Sequence, residues 1–298
     1  MLRNKLWLLL LCTSAATAQV KVQYIEPAQT QEGISAIHSP HIALQDPSQR
    51  DRHRLILMIP GTGGSAASSR MFDSCFATMG YHVISLDYKN NVITTVCSKS
   101  EDSTCFDHFR EEIMFGTPVS DKVEVDTLNS IVNRFTRLLV YLSAHDPEGN
   151  WGQFIKHGQP RWDRIVAAGH SQGAGHAAYL GKSFRLSGVM LFSGPQDYLQ
   201  AYQMPAGWQG ESSRTSVTRY YSFLHIQDPF NYEYQVQDVA LLSKVATTDT
   251  VMVQPHTPVV SKKRILVTDI DKQDRHSSTL GTEFTAVWRY MITGATGK

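Results

Sequence analysis

The sequence has almost no excess charge of either sign. Its 298 residues include 28 lysines and arginines and 27 aspartates and glutamates, which gives a formal net charge of +1. It contains no clustered field of basic residues of the kind that nucleic-acid binding requires. The near balance also gives no charge-based preference for membranes or polyanions. The sequence therefore predicts no nucleic-acid partner and no charge-driven membrane binding.

An apolar run long enough to span a bilayer is also missing. The apolar stretch near the start, Leu6 to Cys12, is too short for that. It follows the basic residues Arg3 and Lys5 and precedes the small residues Ala16-Thr17-Ala18, an order typical of a secretory signal peptide. We therefore predict that residues 1–18 are cleaved and that the protein is exported, periplasmic or extracellular, without a stable membrane anchor.

Cysteine is scarce, with four in the sequence, and the absence of Cys-x-x-Cys motifs argues against a structural zinc site. In an exported protein, cysteines are interpreted first as disulfide partners. Cys97 and Cys105 bracket a short polar loop that a disulfide can close. Cys75 lies in a predicted helix and is interpreted as a small buried hydrophobic residue. The sequence thus predicts one disulfide, Cys97–Cys105, and no metal site.

What the chain does contain is a regular alternation of apolar strands and helical segments. The predicted strands are 54–59, 81–88, 164–169, 188–194, 220–226 and 264–270, and the predicted helices are 68–80, 123–144, 173–184 and 282–292. This rhythm predicts an α/β fold with a mostly parallel sheet covered by helices on both faces. Without repeats or a linker, residues 19–298 are expected to form one domain. Residues 89–120 form a polar excursion, and residues 197–218 are interpreted as a lid or substrate loop.

A serine between glycines follows the strand 164–169. The pentapeptide Gly169-His170-Ser171-Gln172-Gly173 fits the Gly-x-Ser-x-Gly nucleophile elbow, in which serine sits on a sharp strand-to-helix turn. The strained turn closes because glycines leave no side-chain bulk on either side. A plainer interpretation is a turn whose serine caps the helix. The apolar strand before the motif and the small-residue helix after it favour the elbow.

A nucleophilic serine needs a histidine as its base. In folds with this elbow, the chain order is serine, acid, histidine, with the last two in loops after later strands. Four histidines lie downstream of Ser171: His176, His225, His256 and His276. His276 is favoured, because it follows the last strand by a few residues and precedes the last helix.

The acid that orients the base is expected between the serine and that histidine in chain order, in the loop after a later strand. Asp228 directly follows the strand 220–226 and is favoured. Asp197 follows the preceding strand and remains the alternative.

Backbone N–H groups must also stabilise the negative charge that develops on the substrate oxygen. Gln172, directly after the serine, is the first expected donor. Thr62, in the loop "PGTGGS" after the strand 54–59, is the second, with Gly63 as a near alternative.

Taken together, "PGTGGS", "GHSQGAG", "HIQDPF" and "DRHSST" in this order resemble the motifs of the α/β-hydrolase superfamily, in its exported serine-esterase and lipase branch. The match runs from Arg54 to the C-terminus. The resemblance implies a mostly parallel, eight-stranded sheet flanked by helices. It also implies acyl transfer in which Ser171 attacks a carbonyl, His276 relays the proton and Asp228 holds the imidazole, with no cofactor or metal.

The substrate expected from this resemblance is a carboxylic ester, either a small molecule or a polymer. The same apparatus also serves lipases, thioesterases and peptidases, which therefore remain alternatives. Several aromatic residues are either pocket-lining groups or ordinary packing: Tyr198, Tyr202, Trp208, Phe230, Tyr232 and Tyr234.

Two other classes of function are compatible with parts of the sequence. Gly61-x-Gly63-x-x-Ala66, followed by Asp87 at the end of the next strand, satisfies a relaxed dinucleotide fingerprint. It would fit an oxidoreductase but leaves the contexts of the serine and histidine unexplained. The other class is a catalytically inactive hydrolase-like binding protein, which a large separation between Ser171 and His276 would favour.

Overall fold

A computed structural model describes residues 20–297, so the predicted signal peptide, residues 1–18, lies outside the described range. Nine strands form one sheet in the order β1-β2-β4-β3-β7-β8-β11-β13-β12, and the other four form two short ribbons, β5-β6 and β9-β10. The strands are β1 (Lys21–Ile25), β2 (His41–Gln45), β3 (Leu55–Ile59), β4 (His82–Ser85), β5 (Ile155–Lys156), β6 (Gln159–Pro160), β7 (Ile165–His170), β8 (Gly188–Phe192), β9 (Tyr198–Leu199), β10 (Met204–Pro205), β11 (Tyr220–His225), β12 (Thr250–Met252) and β13 (Ile265–Thr268).

Most of the sheet is parallel. Strand β2 pairs antiparallel with both β1 and β4, and every other pairing in the sheet is parallel. Because the carboxyl ends of parallel strands meet at one edge, the loops after β3, β7, β8, β11 and β13 lie side by side. These five strands are adjacent in the sheet, so this edge gathers the predicted site residues.

Helices cover both faces of the sheet. They are α1 (Pro27–Thr30), α2 (Arg70–Ala77), α3 (Cys105–Phe115), α4 (Ile131–His145), α5 (Gln172–Ser183), α6 (Gly207–Gly210), α7 (Tyr232–Ser243) and α8 (Thr285–Thr296). In β3, Leu57 packs on the face covered by α3, α4, α5 and α7, whereas Ile56 and Met58 pack on the face covered by α2 and α8. This alternation, with both faces buried, explains why the central strands are continuous apolar runs. Within residues 20–297, none of these helices has the length and apolar character needed to cross a membrane.

The expected α/β architecture with a mostly parallel sheet is confirmed, but the expected strand number is wrong. The sheet has nine strands rather than eight. Strands β1 and β12 form its two edges and are largely exposed or half-buried. The sequence analysis placed no strand at β1, β2 or β12. Strands β1 and β12 are edge strands, which need no continuous apolar run, whereas β2 is buried but short, with the polar residues His41 and Gln45 at its ends.

One helix begins later than its apolar periodicity predicts. The predicted helix 123–144 starts at Ile131 in the structure, because Ser130 caps it by accepting a hydrogen bond from the Asn133 N–H. The preceding residues instead wrap around Glu112, whose carboxylate accepts the N–H groups of Val119 and Val125.

The two irregular segments contain regular structure. Residues 89–120 carry helix α3, and residues 197–218 carry β9, β10 and α6. In the second segment Trp208 and Gln209 are buried, and the Lys182 ammonium donates to the carbonyls of Gln209 and Glu211. The middle of this segment is therefore anchored to the body of the fold.

The structure contains the disulfide that the sequence predicts. Cys97 and Cys105 are bonded, with their Cα atoms 5.5 Å apart, and Cys75 is free. The bond closes the loop 98–104 by joining Cys97 to the first residue of α3, so it fixes where that helix begins relative to the segment before the loop.

We expect a thiol count to find this pairing. A protein whose first residue is Gln19 should react with one equivalent of a thiol reagent when it is denatured without reductant, because Cys75 is its one free cysteine. After reduction the count should rise to three. Three thiols before reduction would contradict the Cys97–Cys105 bond.

Candidate active site

Ser171 lies on a strained turn between β7 and α5. Its backbone has φ 56° and ψ −123°, outside the ordinary regions for a residue with a side chain. A side chain on Gly169 would come within 2.0 Å of the Gly173 carbonyl oxygen, so the glycine spacing of the motif is required by this close approach. The Ser171 N–H donates to the Phe192 carbonyl at 2.9 Å, which ties the turn to β8. The turn has the backbone conformation expected of a nucleophile elbow.

Asp228 and His276 meet at the same edge of the sheet. Asp228 follows β11 and His276 follows β13, and His276 Nδ1 lies 2.8 Å from Asp228 Oδ2. The other carboxylate oxygen accepts the Phe230 N–H at 2.8 Å. The Asp228 side chain is fully buried and the His276 side chain is 14% exposed. The carboxylate is thus held on one side by backbone and faces the imidazole on the other.

The backbone of His276 is anchored to the serine turn. Its carbonyl accepts hydrogen bonds from Ser193 Oγ at 2.6 Å and from His170 Nε2 at 3.1 Å. Burial, and secondly the proximity of His276, lowers the pKa of His170 to about 4, so its ring is neutral at pH 7. His170 precedes the serine directly, so this bond holds the His276 loop beside Ser171.

The Ser171 hydroxyl is not hydrogen-bonded to His276 within residues 20–297. Its hydrogen bond comes from Gln196 Nε2, at 3.3 Å. Contacts between nucleophile and base are often long before substrate binds. The loop that carries His276 lies against the serine turn, because the His276 ring is 4.8 Å from the ring of His170, the residue before the serine.

The other downstream histidines are engaged elsewhere. His225 is buried, with Nε2 2.8 Å from the Ile270 carbonyl and Nδ1 accepting the Gln227 N–H. His176 is buried against Tyr88, and burial lowers its pKa well below its ordinary value. His256 is exposed. Of the four, His276 is the histidine that meets Asp228.

The two predicted oxyanion residues are in contact. Thr62 Oγ1 donates to Gln172 Oε1 at 2.5 Å, which joins the loop after β3 to the start of α5. The Gly63 N–H already donates to the Asn90 carbonyl at 2.9 Å. Gly63, the alternative to Thr62 as the second oxyanion donor, therefore already uses its N–H group in another hydrogen bond.

The alternative acid, Asp197, belongs to a buried ion pair that the sequence analysis did not find. Arg110 on α3 donates to both carboxylate oxygens of Asp197, Nε to Oδ2 at 2.9 Å and Nη2 to Oδ1 at 2.6 Å. Both side chains are fully buried, and Trp208 Nε1 also donates to Asp197 at 3.0 Å. With its acceptors used in this way, Asp197 does not face any of the four histidines.

Arg110 also contacts the residue after the serine. Its Nη1 donates to the Gln172 carbonyl at 2.8 Å, and a methyl group on Gly175 would lie 2.0 Å from Nη2. Gly175, the first glycine after the serine motif, therefore leaves room for a guanidinium that holds the Gln172 peptide. No local pattern marks Arg110, and the small residue at 175 is the one sequence signal that points to a close neighbour.

A second carboxyl group, Asp238, completes this cluster. It accepts the Asp197 N–H at 2.9 Å and the Gln209 amide at 3.1 Å. Burial, and then the nearby Asp197 carboxylate, raises the pKa of Asp238 well above its ordinary value. The raised pKa means that the protonated form of Asp238 is favoured over what its ordinary pKa would give, because a second carboxylate charge beside Asp197 is unfavourable.

A cavity of about 460 Å³ opens beside the serine. It is lined by the segments 95–99, 196–200 and 229–234, and we call it the polar pocket. Gln196 joins it to Ser171 Oγ. Phe230 joins it to the base, because its ring lies 4.6 Å from the His276 ring. The pocket has the volume of small-molecule sites.

The dinucleotide interpretation conflicts with the position of Asp87. Its carboxylate accepts the backbone N–H groups of Ile37, His38 and Ser39 at 2.7–3.2 Å, and Arg134 lies 3.5 Å away. Asp87 is 2% exposed. A ribose-binding acid needs a free acceptor, and here the acceptors are used to hold the segment before β2.

No protein-family model matches the chain, and no curated protein matches it in sequence. Solved structures do resemble it. A bacterial heroin esterase is 14% identical, with 93% of this chain and 84% of that chain covered and a TM-score of 0.48. A protein described as a dienelactone hydrolase from Klebsiella pneumoniae subsp. pneumoniae MGH 78578 is 9% identical over 94% of this chain and 100% of that chain, with a TM-score of 0.50. A truncated carbohydrate esterase from gut microbiota is 11% identical over 96% and 99%, with a TM-score of 0.49.

At these identities the likeness concerns the fold. The chain has the α/β-hydrolase fold, with nine strands in the sheet and Ser171 on the turn after the central strand β7.

Proposed function

We propose that this protein is a serine hydrolase that cleaves carboxylic esters, small or polymeric, through an acyl-enzyme intermediate in a single domain. The observation that carries the proposal is the 2.8 Å contact between His276 Nδ1 and Asp228 Oδ2 beside a serine held at φ 56°. These three residue types in this relation form the triad of nucleophile, base and orienting acid. The mechanism needs no cofactor or metal.

In the first step, Ser171 Oγ gives up its bond to Gln196 and turns toward His276. As Oγ attacks the ester carbonyl carbon, its proton passes to His276 Nε2. The buried Asp228 carboxylate keeps the proton on Nδ1 and stabilises the imidazolium that forms. Burial matters here because the attraction between carboxylate and imidazolium is stronger where water is excluded.

The carbonyl oxygen becomes negative in this step. We assign the N–H groups of Gln172 and Thr62 to that oxygen, with the positive N-terminal end of α5 behind them. The bond between the Thr62 and Gln172 side chains supports the assignment, since it holds both backbones beside Ser171. Each donor of this kind contributes about 3–4 kcal/mol to lowering the barrier.

Collapse of the intermediate breaks the bond to the leaving oxygen, which receives the proton from His276 Nε2. Water then attacks the acyl carbonyl and passes a proton to the same nitrogen. The acid leaves, and Ser171 recovers its proton. Each step uses His276 alternately as base and acid, so its anchored backbone serves both directions of transfer.

An inactive binding protein is the second candidate, and one observation favours it: Ser171 Oγ is bonded to Gln196 rather than to His276. Labelling with a fluorophosphonate and mass mapping of the modified peptide separates the two. An activated serine should give an adduct on Ser171 in folded protein, none after heat denaturation and none in Ser171→Ala. Folded protein that remains unlabelled would support the binding protein.

Export is also part of the proposal. The signal-like pattern of residues 1–18 supports it, and so does the Cys97–Cys105 bond, because disulfides persist in oxidising compartments. Secretion of the full chain with loss of about 18 residues, measured on the exported protein by mass, would test this. A chain that stays inside the producing cell and keeps Arg3 and Lys5 would overturn it.

We expect Asp228→Asn to lower kcat by about 10³- to 10⁴-fold with little change in KM, because asparagine cannot hold the required tautomer of His276. Asp197→Asn is the matched control, since it removes a buried carboxylate of the other candidate acid. It should lower thermal stability and leave most of the turnover per folded molecule. A larger loss of kcat in Asp197→Asn than in Asp228→Asn would reverse the assignment of the acid.

A further inference from the structure

The lining of the polar pocket combines apolar and polar groups. Of its ten lining residues, seven carry a polar group on the side chain and none carries a carboxylate. Six of these groups are hydroxyls or amides, and they come from all three lining segments, among them Ser98 and Gln200. A ligand that was hydrocarbon throughout would cover these groups without replacing the water bonded to them, which costs binding energy. The pocket therefore fits a ligand with an apolar body and a polar group.

Lys99 gives the pocket its charge. It is the one charged residue among the lining groups, and within residues 20–297 its ammonium makes neither an ion pair nor a hydrogen bond. A ligand with a carboxylate would supply the missing opposite charge. We propose, resting on the proposed esterase function, that the polar pocket binds a carboxylate carried by the ester substrate and that Lys99 contributes to this preference.

The segment that carries Lys99 is held in place, so its side chain starts from a fixed backbone. Cys97 is tied to Cys105, and the Ser98 carbonyl accepts the Gln200 N–H at 2.8 Å. These two anchors flank Lys99 on one side and join it to the segment that also carries Gln196. A backbone held in this way lowers the entropy that substrate binding has to offset.

The opposite wall of the pocket is also rigid. The Tyr234 ring stacks on Tyr198 with centroids 4.0 Å apart and planes 4° from parallel. The Asn231 side chain caps α7 by accepting the N–H groups of Glu233 and Tyr234. A pocket between two fixed walls, one aromatic and one bearing Lys99, discriminates by charge without a large rearrangement.

The connection to the reacting atoms limits where the carboxylate can lie. The two lining residues that contact the catalytic groups are Gln196, which is hydrogen-bonded to Ser171 Oγ, and Phe230, which packs against the His276 ring, so these side chains lie between the pocket and the reacting atoms. The charged group therefore lies away from the scissile bond, at the far end of the acyl or alcohol part. Lys99 is exposed, so solvent and salt screen its attraction, and its effect on specificity is modest.

The experiment compares two matched pairs of 4-nitrophenyl or alkyl esters. In the first pair, the acyl part of one ester ends in a carboxylate and that of the other ends in the corresponding methyl ester. In the second pair, the same two end groups are placed on the alcohol part. The measured quantity is the ratio of kcat/KM for the charged member to that for the neutral member. We expect Lys99→Met to lower this ratio about two- to five-fold for one pair, Lys99→Arg to keep it, and 0.5 M NaCl to shrink the difference.

Lys262→Met is the matched control, because Lys262 is also exposed. It precedes β13 and so lies at the amino ends of the parallel strands, whereas the candidate site lies at their carboxyl ends. It should leave the ratio unchanged. A ratio unaffected by Lys99→Met for both pairs, while the neutral esters are still hydrolysed, would overturn the pocket assignment alone. Absence of Ser171-dependent hydrolysis of every ester, together with no fluorophosphonate adduct, would overturn the proposed function and the pocket assignment with it.

Discussion

Ser171→Ala is expected to lower kcat/KM for ester hydrolysis by at least about 10³-fold while leaving the melting temperature nearly unchanged. The loss is large because the nucleophile, base and acid act as a unit, so removing one removes most of what the others contribute. The fold survives because alanine keeps the Cβ atom, and the backbone at φ 56° is as strained for alanine as for serine. Residual hydrolysis would come from binding and from the N–H donors alone.

The measurement uses steady-state kinetics with a neutral ester and thermal unfolding of the same preparations. Ser183→Ala is the control, because it removes a hydroxyl at the far end of the same helix, where Ser183 Oγ donates to the Tyr179 carbonyl. Ser171→Gly adds a test of the backbone strain: it should be as inactive as Ser171→Ala but about 1 kcal/mol more stable, since glycine adopts positive φ freely. Turnover by Ser171→Ala within tenfold of wild type would exclude Ser171 as the nucleophile.

Local sequence patterns were sufficient for the centre of this fold and insufficient for its edges. Strands β3, β7, β8, β11 and β13 are buried on both faces, so each appears as an apolar run that needs no long-range information. Strands β1 and β12 are short and partly solvated, so neither forms a long apolar run, and both were missed for this reason. Strand β2 is buried but only five residues long, with polar residues at both ends. The predicted start of helix α4 was too early because apolar spacing cannot show that Ser130 caps the helix.

The candidate site divides in the same way. The serine turn is a local motif, and Asp228 and His276, 48 positions apart, were paired by their places after successive strands. Arg110 and Asp197 are 87 positions apart, and neither belongs to a motif. Gln196 and His170 were also overlooked, since a contact between loops depends on how the sheet brings them together. A single sequence indicates such distant contacts only indirectly. Gly175 is one example, since its lack of a side chain indicates a close neighbour, which the structure identifies as Arg110.

Arg110→Met is expected to destabilise the protein by about 3–5 kcal/mol. The substitution keeps much of the side-chain volume but leaves the Asp197 carboxylate buried without its positive partner, and an unpaired buried charge has a cost of this size. Trp208 still donates to Asp197, but its indole carries no charge that could replace that of the guanidinium. Urea unfolding should show a lower midpoint with an unchanged dependence on denaturant.

A double-mutant cycle identifies the ion pair as the cause. Asp197→Asn removes the negative charge, so Arg110→Met should cost much less in that background than in the wild type, with an interaction of about 2 kcal/mol or more. Costs that simply add would mean that Arg110 stabilises the fold through packing rather than through Asp197. The cycle also distinguishes this pair from an exposed one, for which the interaction would be at most about 1 kcal/mol.

Turnover per folded molecule tests whether Arg110 also positions the site. Its bond to the Gln172 carbonyl orients the peptide that follows the nucleophile, so losing it should lower kcat about tenfold or more with KM nearly unchanged, measured well below the urea midpoint. Arg110→Lys should recover part of the stability, because it restores a positive charge, but little of kcat, because an ammonium cannot reach Asp197 and Gln172 in the geometry of a planar guanidinium. If Arg110→Met kept full kcat in its folded fraction, the buried pair would serve the fold alone and the Gln172 peptide would be held by Thr62 and the start of α5.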